Sequence, residues 1–98
     1  MRTVRWANPE TAILYRTLLL EDDGEATARE WAEDGGRRLV ERFARQLRRD
    51  LVELYAGDSG NALADAFIRL ALRRVNFLEV AWALLDRVGW QAPQAPAN

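Results

Sequence analysis

Residues 70–85 read LALRRVNFLEVAWALL, and the fold turns on the six in the middle, Val75-Asn76-Phe77-Leu78-Glu79-Val80. Asn76 can accept a hydrogen bond from the first turn of a helix, Glu79 can reach back to the Asn76 amide, and Val75 can pack on Val80. Together these make a capping box with a hydrophobic staple, the signature of a helix start. One helix therefore ends at about Arg74 and another runs over 77–88, with Gly89 placed to close it. The pattern predicts a C-terminal αα-hairpin.

Working outward, the first arm of that hairpin covers 61–74, with Asp58 or Ser59 able to cap it. Its only polar stripe is Asp65, Arg69 and Arg73. Leu63, Phe67, Ile68, Leu70, Ala71 and Leu72 cover most of the circumference, so it is expected to be the central helix of the fold. Residues 25–56 are helical in pattern, but the apolar stripe changes phase at Gly35 and Gly36. Ala28, Trp31 and Ala32 point in a different direction from Leu39, Phe43, Leu47, Leu51 and Leu54, which predicts a break or sharp kink at the two glycines. Near the start, Asn8-Pro9-Glu10 has the form of a cap, a first helical proline and a first-turn acid, giving a largely buried helix over 9–20.

Period-two alternation is confined to residues 3–6. The expected fold is all-α: a compact bundle of four to five helices in one domain, 1–90, followed by QAPQAPAN, 91–98, as a disordered tail. At 98 residues there is room for one small core. The apolar runs 12–20 and 80–85 are too short to span a bilayer, and MRTVRWANPE lacks the apolar core of a secretory signal, so no membrane association and a cytoplasmic location are expected.

The chain contains no histidine, cysteine or lysine, and Ser59 is its one serine. General acid–base chemistry and soft metal ligation are poorly supplied, so neither an enzyme nor a cofactor-bearing protein is expected. The loop Gly57-Asp58-Ser59-Gly60 spells a serine-protease nucleophile sequence without any histidine to take the proton, and reads as a turn. Asp23-Gly24 followed by Glu30 imitates half a calcium loop whose first ligand would fall on Leu19. A helix-turn-helix over 61–88 would present Phe77, Leu78, Val80 and Trp82 to base edges, which need polar partners.

Residues 37–49, RRLVERFARQLRR, hold six arginines and one acid. Arg38, Arg42, Arg45 and Arg49 share a face opposite Leu39, Phe43 and Leu47. Seven acids in 21–34, and the spacings Glu33 to Arg37, Asp34 to Arg38, Glu41 to Arg45 and Arg49 to Glu53, predict partial neutralisation of that ridge from within. Fourteen arginines against fifteen acids leave a formal charge of -1, unlike the basic balance usual in nucleic-acid-binding domains.

Four tryptophans in so short a chain, together with arginine, are the residue types most enriched at interface hot spots. Two apolar sides on 77–88 exceed what one small bundle needs, which points to a homodimer. The segment 70–85 also resembles the end of short helical proteins carried by phages, plasmids and their hosts. The positions that match are Val75, Asn76, Glu79, Val80, Ala81, Leu84 and Leu85, with departures at Phe77 and at Trp82, where a polar residue is common. That resemblance implies an accessory protein that inhibits or regulates a host protein, of which an anti-CRISPR inhibitor of a host defence complex is one form.

The expectation is thus a non-catalytic module that binds a host protein. Arg38, Arg42, Arg45 and Arg49 would dock it electrostatically, with Trp31 and Trp82 as apolar anchors. The alternatives are a nucleic-acid-binding regulator using the arginine face of 37–56, and an acidic surface over 21–34 that imitates nucleic acid.

Overall fold

The computed structural model describes residues 6–20, 23–55 and 60–91. They form five helices: α1 (Pro9–Leu20), α2 (Gly24–Asp34), α3 (Leu39–Tyr55), α4 (Ala62–Arg74) and α5 (Phe77–Arg87). The fold is an all-α bundle, with no strand among the described residues. Residues 3–5, Asp58, Ser59 and the expected tail from 92 onward lie outside the described set.

Helix α5 is the central element, packed against α1, α2 and, most extensively, α3. Val80, Ala81, Leu84 and Leu85 are completely buried, and they meet Phe43, Leu39, Ala44, Leu47 and Leu51 from α3, Ala28 from α2 and Leu18 from α1. The expectation that 61–74 would be central is corrected. Helix α4 rests on α3 and α1 without a close backbone approach to α5, and its one buried residue is Asp65. A helix that is apolar nearly all round does not specify which side it buries, and α4 places Leu63, Phe67 and Leu70 outward at 67%, 63% and 56% exposure.

The phase change at Gly35 and Gly36 is a full break between α2 and α3. Both glycines have positive φ, 62° and 93°, and the Gly35 amide closes α2 on the Trp31 carbonyl at 2.9 Å. Arg38 follows at φ 55°, a left-handed backbone in a residue with a Cβ. Arg38→Gly should relieve that strain and raise stability by about 1 kcal/mol, measurable as a higher midpoint in urea. A fall in the midpoint would mean that the Arg38 side chain contributes more than its backbone strain removes.

Asn side chains cap three of the helix starts. Asn8 caps α1, accepting from the Thr11 amide at 2.9 Å, and Asn61 caps α4 by accepting from the Ala64 amide at 3.1 Å. Asn76 caps α5, accepting from the Glu79 amide at 3.2 Å, and so supplies half of the capping box. The reciprocal half is replaced by tertiary bonds. The Asn76 amide donates to Thr11 Oγ1 at 2.9 Å, and Glu79 Oε1 accepts from the Ala7 amide at 2.8 Å.

These bonds knit the start of α1 to the turn between α4 and α5. Thr11 is fully buried, and its hydroxyl donates to Asn8 Oδ1 at 2.7 Å while accepting from Asn76. Asn8 Nδ2 donates in turn to the Arg74 carbonyl, and Arg74 pairs with Glu10 at 3.3 Å. Thr11→Val keeps the shape but leaves the Asn76 amide without its acceptor, and should lower unfolding stability by roughly 1–2 kcal/mol, with Thr11→Ser retaining most of it. Chemical denaturation of the two variants side by side separates the hydroxyl from the methyl.

Candidate functional site

The two groups of residues expected to meet a partner separate into different surfaces. On α3, Arg45, Arg48 and Arg49 are exposed on the side turned away from the buried stripe, and Arg38 is exposed just before the helix begins. None of the four makes an ion pair with another described residue. The spacings Glu41 to Arg45 and Arg49 to Glu53 are not closed, and the helix break takes Glu33 to Arg37 and Asp34 to Arg38 off a common helix. The ion pairs among the described residues are Arg29 with Glu25, Arg74 with Glu10, and Arg87 with Glu25. The four spacings expected to pair on the ridge are therefore not closed as ion pairs among the described residues. The Glu25 hydrogen bond, and then its charge, hold the Arg87 guanidinium above its ordinary value.

Arg42 is committed elsewhere. Its Nη2 donates to the Gly35 carbonyl at 2.6 Å and its Nε to the Arg37 carbonyl at 3.0 Å, while the guanidinium lies 5.7 Å from the centre of the Trp31 ring. Trp31 stacks on Phe43 with ring centres 5.4 Å apart. Together Arg42 and Trp31 lock the α2–α3 break and lid the core. The sequence placed Arg42 on the arginine face correctly by period, but the break supplies orphan carbonyls that draw its side chain inward.

On α5 the opposite side from the core carries Leu78 and Trp82, exposed at 51% and 41%. The end of the helix brings a second indole beside Trp82. Gly89, at φ 85°, donates its amide to the Asp86 carbonyl at 3.0 Å, and the Trp90 amide donates to the Leu85 carbonyl at 3.0 Å. This is a Schellman close, which needs the left-handed residue that glycine supplies most readily. It folds Trp90 back so that its ring meets Trp82 edge-on, 5.8 Å between centres and 87° between planes. Such an edge-to-face pair braces the exposed Trp82 ring against Trp90, which is itself half-buried on the core.

Since α3 and α5 pack on one another through their buried stripes, the arginine face and the Trp82 ridge look in different directions. Trp6, by contrast, tilts against Tyr15 at 4.9 Å between centres. Among the described residues no group of three or more acidic, histidine or cysteine side chains is placed to hold a metal ion, and no helix is long and apolar enough to cross a membrane. Comparison of the chain with protein-family models, with curated proteins and with solved structures finds no match.

Proposed function

We propose that this chain is a non-catalytic protein-binding module whose partner seats on Leu78, Trp82 and Trp90. The carrying observation is the exposed Trp82 indole on the central helix, held edge-to-face by the half-buried Trp90 that follows that helix. A large aromatic that loses little freedom on binding is the usual form of an interface hot spot. Trp82 also stands where the phage and plasmid proteins commonly have a polar residue, whereas the positions shared with them are accounted for by folding: Asn76 caps, Glu79 accepts from Ala7, Val80, Ala81, Leu84 and Leu85 fill the core, and Val75 packs against it. An inhibitor of a host complex, of the anti-CRISPR kind, is the concrete version of this reading and rests on that resemblance.

The test is affinity capture from the lysate of a bacterial host, with Trp82→Ala beside the natural chain. Because Trp82 is exposed, the variant should fold normally and lose at least about tenfold in capture of the specific partner. Equal capture by both would remove the reading.

The arginine face supports a second one. Arg45, Arg48 and Arg49 meet no carboxylate of the described residues, so they are free to meet a partner's anions, including nucleic-acid phosphate. On that reading a Kd for duplex DNA or RNA rises steeply with salt, and changing all three to alanine lowers the slope of log K against log salt by about 3. Absence of binding at low salt disposes of it.

A further inference from the structure

The buried stripe of α3 outlasts the core that covers it. Leu39, Phe43, Leu47 and Leu51 are covered, yet Leu54, one helical turn further on the same side, is 65% exposed and Tyr55 beside it 38%. The other helix of this end, α4, carries Leu63, Phe67 and Leu70 at spacings of four and three, a second apolar stripe facing solvent. The α3 end and α4 thus form a two-helix layer with apolar side chains that none of the described residues covers.

The charges that flank the two stripes are opposite. Asp50 and Glu53 sit exposed beside the α3 stripe, and Arg69 and Arg73 sit exposed along one flank of the α4 stripe. Within one chain none of these four forms an ion pair with a described residue, and Asp50 takes only a hydrogen bond from Gln46 at 2.7 Å. An acidic-flanked stripe and a basic-flanked stripe on the same layer are complementary to each other when a second layer is turned over by a two-fold rotation. A partner bearing both is a second copy of this chain.

We infer that the chain forms a two-fold dimer in which α4 of each copy packs on the exposed end of α3 of the other. Two such layers make a four-helix bundle, the smallest arrangement that covers every stripe. Phe67, Leu63 and Leu70 of one copy meet Leu54 and Tyr55 of the other, with Arg69 and Arg73 beside the facing Asp50 and Glu53. The interface leaves Trp82 outside it.

Sedimentation equilibrium on the full chain tests this, with circular dichroism to confirm folding. The natural chain should sediment at twice its 11.2 kDa. Phe67→Glu, at an exposed site, should keep its helix content and raise the dimer Kd at least about tenfold. The charge pattern gives an independent arm. Arg69→Glu with Arg73→Glu in one chain, and Asp50→Arg with Glu53→Arg in another, should each weaken self-association, and mixing the two chains should restore it as a heterodimer. A monomeric natural chain, a dimer indifferent to Phe67→Glu, or a mixture no tighter than its components would each overturn the proposal.

Discussion

Phe43→Ala should remove about 3–5 kcal/mol of unfolding stability. Phe43 is completely buried on α3, its ring stacks on Trp31, and it belongs to the core cluster that also contains Val80, Ala81, Leu84 and Leu85 of the central helix. Truncation opens a cavity that rigid helices cannot close and takes away the surface on which the Trp31 and Arg42 lid rests. A domain of this size has only about 5–15 kcal/mol in all. The variant is expected to unfold at much lower urea, and Phe43→Leu, which keeps most of the volume, to fall between it and the natural protein. A loss below about 1 kcal/mol would place the centre of the core elsewhere.

Gly24→Ala should destabilise by about 1–3 kcal/mol, although helix propensity alone predicts a gain. Gly24 is the first residue of α2, and a Cβ there would stand 2.8 Å from the Leu18 carbonyl oxygen and 3.1 Å from the Leu18 carbonyl carbon. Those atoms are backbone inside α1, so α2 as a whole would have to retreat. Because the two effects differ in sign, one thermal melt separates them: a higher Tm would mean that α1 and α2 are not held so closely. Gly24 is not at a positive φ, so the requirement is one of space rather than of backbone conformation.

The elements themselves were largely legible because their signals are local. Asn8-Pro9, Gly35-Gly36 and the segment 75–80 each act through hydrogen bonds or backbone angles within a few residues, and each marks a boundary of the observed helices. Candidate surface residues were less legible. Arg45, Arg49 and Trp82 are exposed as the periodicity implied, but Arg42 and Trp31 turn inward, Arg48 joins the exposed arginines, and Trp90 joins Trp82 through the Gly89 turn. Gly89 and Trp90 are adjacent in sequence, so the turn was readable; which ring it would meet was not.

The sequence by itself determined an all-α chain with its breaks and caps, since those depend on side chains hydrogen-bonding the nearest backbone. Tertiary structure decided which faces those helices bury. Leu54 and Leu63 read as core by period yet lie in solvent, Asp65 reads as surface yet is buried, and Glu79 leaves its own helix start to hold Ala7. The physical reason is that burial is a competition among all apolar faces for a few neighbours. Helix α5, flanked on three sides, wins that competition over α4, and the face left uncovered is the one for which a second copy is proposed.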